Sequence, residues 1–314
     1  MADPTELQPL QEDGQAPALA RSLPPFGVRV GRSLWNAFRE MPWPTRACAS
    51  WLVLIVTAAI FADWIPGLQD PNYQGFLFGK GKTLDPPSME HWLGTDNVSR
   101  DILARVVHGA RTSLIFAGGV LLCGLVFGGL LGSAAGFLRG RFEAVVMFYV
   151  DVSLAFPALV FFLFAITMLN RRGLGIMTVA VSLLIIAPFT RIARANSLSV
   201  SNREFVTAAR AIGTSRPRIL VREIIPNVYP TLVAYSLVVA AVLILLEATL
   251  SFLGIGVPIP RASWGGDINM GRRDIAINVW PMIPPIFALV MTILSVNVVS
   301  DWLRGNAASR SSAL

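Results

Sequence analysis

Apolar residues fill six stretches of the chain, each bounded by arginine, proline or short polar segments. A helix needs about twenty predominantly apolar residues to cross a bilayer. The runs therefore predict spans over about residues 47–64, 113–137, 144–169, 174–190, 231–255 and 279–302. The expected fold class is an all-α polytopic membrane protein of six helices. The first span is short, with Trp51 and Trp64 placed to sit at the two interfaces. In the second, Gly124, Gly128, Gly132 and Gly136 recur every fourth residue, so they share one face and admit the backbone of a neighbouring helix. The third carries Asp151 and Pro157, and the fifth carries Glu247.

The polar stretches differ from one another. Residues 1–25, rich in Pro, Gln, Asp and Glu, read as a disordered tail. Over 26–46, Phe26, Val30, Leu34 and Phe38 line one face of a helix suited to the membrane surface. A six-span domain is expected over 47–304, with an outer loop over 66–111, an inner loop over 191–230 and a tail over 305–314. Within the outer loop, Ile102, Val106 and Ala110 predict an amphipathic helix lying on the outer membrane surface, capped by Ser99 and with Asp101 in its first turn. A second outer loop over 258–278 contains Ser263-Trp264-Gly265-Gly266-Asp267.

The inner loop is a basic island, densest from Asn202 to Pro230. Arg203, Thr207 and Arg210 recur on one face of a short helix, and Phe205, Ala209 and Ile212 on the other. Asn202 is placed to cap it, and Glu204 suits the positive end of its dipole. Gly213 can adopt the left-handed conformation that closes such a helix. Thr214 or Ser215 would cap a second short helix, which Pro226 would end. Two short helices about a glycine turn make a knob suited to a groove on a partner.

The run Thr207-Ala208-Ala209, then Gly213, then Ile225-Pro226, resembles the EAA loop of permease subunits of ATP-binding-cassette importers. The wider context resembles the C-type permease of dipeptide and oligopeptide importers, a group that includes nickel importers. His91 to Leu114 is similar to the HxLGTDxxGRD…GxRxSL signature of that class, with Ser99 in place of a glycine, and Leu246 to Gly254 is similar to its LEAxLSFLG. The family glutamate is Thr207 here. The resemblance covers about residues 51–303 and implies a type I importer permease fold. It further implies that Glu204, Phe205, Thr207, Ala208, Ala209, Arg210, Gly213 and Pro226 couple the chain to an ATPase. Implied partners are a second homologous permease, one or two cytoplasmic ATPases and an extracytoplasmic solute-binding protein. ATP and Mg would be bound by the ATPases and no cofactor by this chain. Peptide is the implied substrate, with nickel or another small solute as the alternative.

Composition narrows the classes. The 314 residues are 54% hydrophobic and 14% charged, with a net charge of +7, against about a quarter charged in soluble domains. With six spans and an inner N-terminus, sixteen basic side chains fall inside and ten outside. That bias predicts both termini on the cytoplasmic side and explains the charge without nucleic acid, and the resemblance implies a bacterial inner membrane. No GxxxxGK[ST] or CxxC occurs, and two cysteines and two histidines do not predict a metal site. The chain is therefore expected not to be an enzyme. Asp151 and Glu247 are the intramembrane acids, read either as groups on the translocation pathway or as helix-locking hydrogen-bonding residues. A proton-coupled carrier using both as a relay is the alternative from another class.

Overall fold

The computed structural model describes residues 38–78, 82–169 and 172–311. The tail expected over 1–25 and most of the surface helix expected over 26–46 lie outside the described residues. Among the described residues every regular element is helical.

Helix α1 (Trp43–Ile60) is the first span and begins four residues earlier than its apolar run. Helix α2 (Ile102–Cys123) passes through one wide turn, Gly124–Gly128, into α3 (Gly129–Leu138). Together they form one apolar rod of 37 residues. This corrects the amphipathic surface helix expected over part of 91–114. Its apolar stripe of Ile102, Val106 and Ala110 is buried against the rest of the protein and is the first third of the second spanning rod. The cap is also corrected. Asp101, not Ser99, precedes the first turn and accepts from the Ala104 N–H at 2.8 Å. Ser99 has φ +59°, a left-handed conformation that explains a glycine in the resembling signature.

The third span is broken. Helices α4 (Gly140–Ala155) and α5 (Ala158–Leu169) meet at 93°. Pro157 has no N–H to donate and forces Phe156 into an extended conformation, ψ 127°, so the helix cannot continue. Helix α6 (Leu174–Ser201) continues past its interior Pro188 and runs eleven residues beyond the apolar segment that predicted it. The knob follows as α7 (Glu204–Ala211). Helix α8 (Arg216–Ile219) then opens a second rod of 37 residues, through a wide turn at Leu220–Ile224 into α9 (Ile225–Phe252). Pro226 therefore does not end a helix, as the sequence led us to expect. The Ile225 N–H reaches back five residues to Leu220 O, and this widening lets the proline pass without a clash. Helix α10 (Trp264–Arg272) lies in the second outer loop. A short turn at Trp280–Met282 leads into α11 (Ile283–Ser311), which extends through the first part of the expected tail.

Among the described residues five helices are thus long and apolar enough to span a membrane, and the bent α4–α5 pair, counted as one span, makes six. The glycine-lined face of α2–α3 meets α6 at very short range. A Cβ at Gly128 would lie 2.6 Å from Phe189 Cβ, and one at Gly136 would lie 2.6 Å from Arg194 O. At Gly124 the nearest atom would be in the Phe189 ring, and at Gly132 the Thr190 carbonyl. Phe189, fully buried here, stacks edge-on with Tyr235 of α9 at 5.0 Å. Three spans thus share one core.

Candidate functional site

Two polar regions sit at opposite ends of the long rods. The first is a cap built around the start of α2. Arg105 is buried and donates from Nε to Asp267 Oδ1 of α10 at 2.7 Å. Its Nη1 holds the carbonyls of Pro71 and Pro260 at 3.0 and 3.3 Å, so one side chain ties together three segments. Burial pushes the Asp267 carboxyl above its ordinary value and the Arg105 charge opposes this. Trp264 is fully enclosed and donates from Nε1 to Val106 O at 2.9 Å. Arg100, also buried, pairs with Asp96 at 2.7 Å. His91 Nδ1 meets Asp101 Oδ2 at 2.8 Å and braces the acid that caps α2.

Glu247 belongs to the foot of this cap. Its two oxygens accept from Ser113 Oγ of α2 at 2.5 Å and Ser251 Oγ of α9 at 2.8 Å. It has no exposed surface in this chain. Asp151 is placed quite differently. It is exposed on α4 and pairs with Arg191 of α6 at 2.6 Å. The two acids are not brought together; each is held by its own partners.

The second region is the knob. Val206 is its anchor, fully buried, with Ala209 packed on the same core and Ile219 and Ile224 beneath the next helix. This corrects the expected faces, because Phe205 and Ile212 point outward and Ile212 is 82% exposed. A helix forms at the expected place, but its buried centre is Val206, a residue outside the expected apolar face. Asn202 ends α6 and does not cap α7; its Oδ1 accepts from Arg139 at 3.4 Å. The Asn202 N–H is already used by Ser199 O, which keeps the residue in the preceding turn. Gly213 has φ +78° and closes α7, its N–H bonded to Arg210 O at 3.0 Å. Glu204, Thr207, Ala208 and Arg210 are exposed on the knob, and Pro226 is exposed at the foot of α9.

The Arg105–Asp267 and Ser113–Glu247 links were not legible as pairs, since they join residues more than 130 positions apart. Ser251 was, because it follows Glu247 by four and so shares its helix face.

The fold is thus a bundle of membrane-spanning-length helices with a buried polar cap at one end and a projecting helix–glycine–helix knob at the other. Residues 128–312 match the family model described as "Binding-protein-dependent transport system inner membrane component". The chain is 38% identical over 256 residues to a putative peptide transport system permease protein of Brucella suis, covering 81% of this chain and 83% of that one. It is 33% identical over 270 residues to the glutathione transport system permease protein GsiD of Escherichia coli, covering 86% and 87%. The chain belongs to the family of inner-membrane permease components of binding-protein-dependent ATP-binding-cassette importers.

Proposed function

We propose that this permease forms half of a pathway for peptides or glutathione-like small peptides, coupled to ATP hydrolysis by partner subunits at the knob. The observation that carries the reading is the build of α7. A helix of eight residues is anchored on one side by a single buried valine, and it leaves Phe205, and Ile212 at its C-cap, facing outward. Exposed apolar side chains on a projection from a membrane protein favour a groove on a partner. The substrate class rests on the names of the two relatives. The partners would be a second permease, ATPases that carry the nucleotide, and an extracytoplasmic receptor. The bias of basic side chains supports a cytoplasmic knob and cytoplasmic termini.

Glu247, enclosed between two spans by this chain alone, is assigned to holding α2 against α9. Asp151, exposed and paired across α4 and α6, is the better placed of the two acids for a solute path or a second permease.

Gly213 gives the test. A Cβ there meets nothing within 4 Å, so its substitution acts on the backbone alone. Forcing a branched residue into the left-handed region costs about 1–2 kcal/mol, too little to unfold the bundle but enough to re-aim α7. Gly213→Val is expected to insert normally, bind its ATPase poorly and lose ATP-driven uptake in reconstituted vesicles. Thr207→Glu, exposed, is expected to be tolerated. Uptake by Gly213→Val at the parent rate would remove the knob from the coupling path. Orientation is checked separately by single cysteines at Arg218 and Ile277, which should label from opposite sides.

A further inference from the structure

We propose that a basic cleft between the end of α3 and the knob binds a phosphate-bearing anion, presented by the headgroup of an acidic phospholipid. The cleft has a volume of about 440 Å³ and is lined by Arg139, Arg210 and Arg216 with Asn202 and Thr214. Ligand sites commonly measure about 300–1,000 Å³.

Among the described residues no carboxylate answers its charge. Arg139 makes one long hydrogen bond to Asn202 at 3.4 Å, and Arg210 stacks over the Phe137 ring at 5.4 Å. Neither of these nor Arg216 forms an ion pair with a carboxylate among the described residues. Two nearby arginines show the contrast, since Arg191 has Asp151 and Arg194 has Glu143. Three guanidinium groups around one cleft repel one another until an anion enters. Their planar forks match pairs of phosphate oxygens better than any point charge would.

Position selects the source of the phosphate. Phe137 and Leu138 are the last residues of a spanning rod, and Leu138 is exposed beside the cleft mouth. The apolar end of a span therefore adjoins the arginines, as an acyl chain adjoins its headgroup. Basic pockets among spanning helices take acidic headgroups on this principle. The inference goes beyond the coupling role and does not depend on which side of the membrane the cleft faces.

The test uses the full chain in neutral detergent, with no ATPase present, so that its failure leaves the coupling proposal untouched. Phosphatidylglycerol and phosphatidylcholine of the same acyl chains are titrated and bound lipid is counted by native mass spectrometry. Glycerol 3-phosphate is added as a soluble competitor. The parent is expected to retain phosphatidylglycerol over phosphatidylcholine. Arg139→Gln/Arg216→Gln should lose about thirtyfold in that preference, the effect of removing two arginines beside an anionic headgroup. Arg218→Gln, on the same exposed turn but outside the cleft lining, should leave it unchanged. Unaltered unfolding of the double variant in phosphatidylcholine confirms its fold, and the single Arg216→Gln, also exposed, serves if it does not. Complete displacement by millimolar glycerol 3-phosphate would assign the site to a soluble phosphate ester. Equal retention of both lipids, or a double variant that binds like the parent, overturns the proposal and leaves the arginines to an acidic protein partner.

Discussion

The two ends of this permease handle charge in opposite ways. At the cap, Arg100 and Arg105 are both buried, and each has a carboxylate from within the chain. At the knob, Arg139, Arg210 and Arg216 are exposed around an open cleft. The charges of the cap are paired within the chain, whereas those around the knob cleft have no carboxylate partner among the described residues. A buried pair is costly to break because its survivor stays desolvated, but an exposed arginine loses little when truncated. Stability should therefore reside in the cap and interaction in the knob.

The strongest way to break this contrast is Arg105→Ala. It strands Asp267 in a dry site and releases the carbonyls of Pro71 and Pro260, so a loss of about 3–5 kcal/mol is expected. Thermal unfolding in detergent would show it, and a shift no larger than that of Arg216→Ala would erase the distinction. A smaller loss, about 1–2 kcal/mol, is expected for Glu247→Gln. The amide keeps one acceptor for Ser113 or Ser251 and must offer the other serine a donor. Uptake should survive in proportion to folded protein; a well-folded variant without transport would instead place Glu247 on the solute path. The least effect belongs to Asp151→Asn. Its pair with Arg191 is exposed on both sides, worth about 0–1 kcal/mol, so unfolding should barely move. A clear drop in uptake at unchanged stability would mark Asp151 as a contact for solute.

Much of this plan could be read from the residues. Uninterrupted apolar runs carry the signal for five spans, and the spacing of Gly124 to Gly136 marks the face that α6 covers. Gly213 was legible because few other residues tolerate its conformation. The break in the third span was hidden for a physical reason: the run from Val145 to Leu169 stays apolar on both sides of the break, while the geometry is decided by one missing N–H at Pro157. Helix α10 was hidden differently. Gly265, Gly266 and Gly271 give it poor intrinsic propensity, and it forms because Gly265 packs directly on the backbone of Ala248 while Trp264 fills a site beside α2. The outward turn of Phe205 could not be chosen from periodicity, since Phe205 and Val206 compete for the same buried centre and packing beneath α7 admits the smaller one.

The rod from Arg216 to Phe252 has a mechanical consequence. Thirty-seven residues of helix measure about 55 Å, nearly twice the roughly 30 Å hydrocarbon thickness of a bilayer. One end stands beside the knob and the other reaches Glu247, Ser251 and the contact of Ala248 with α10. Pivoted at mid-membrane, a tilt of about 5° would carry the two ends about 2–3 Å each in opposite directions. Such a beam needs no relay of side chains through the bilayer. The two irregularities of this rod, the widened turn at Leu220–Ile224 and the interior Pro230, both lie toward the knob, and the helix beyond them runs unbroken to Phe252.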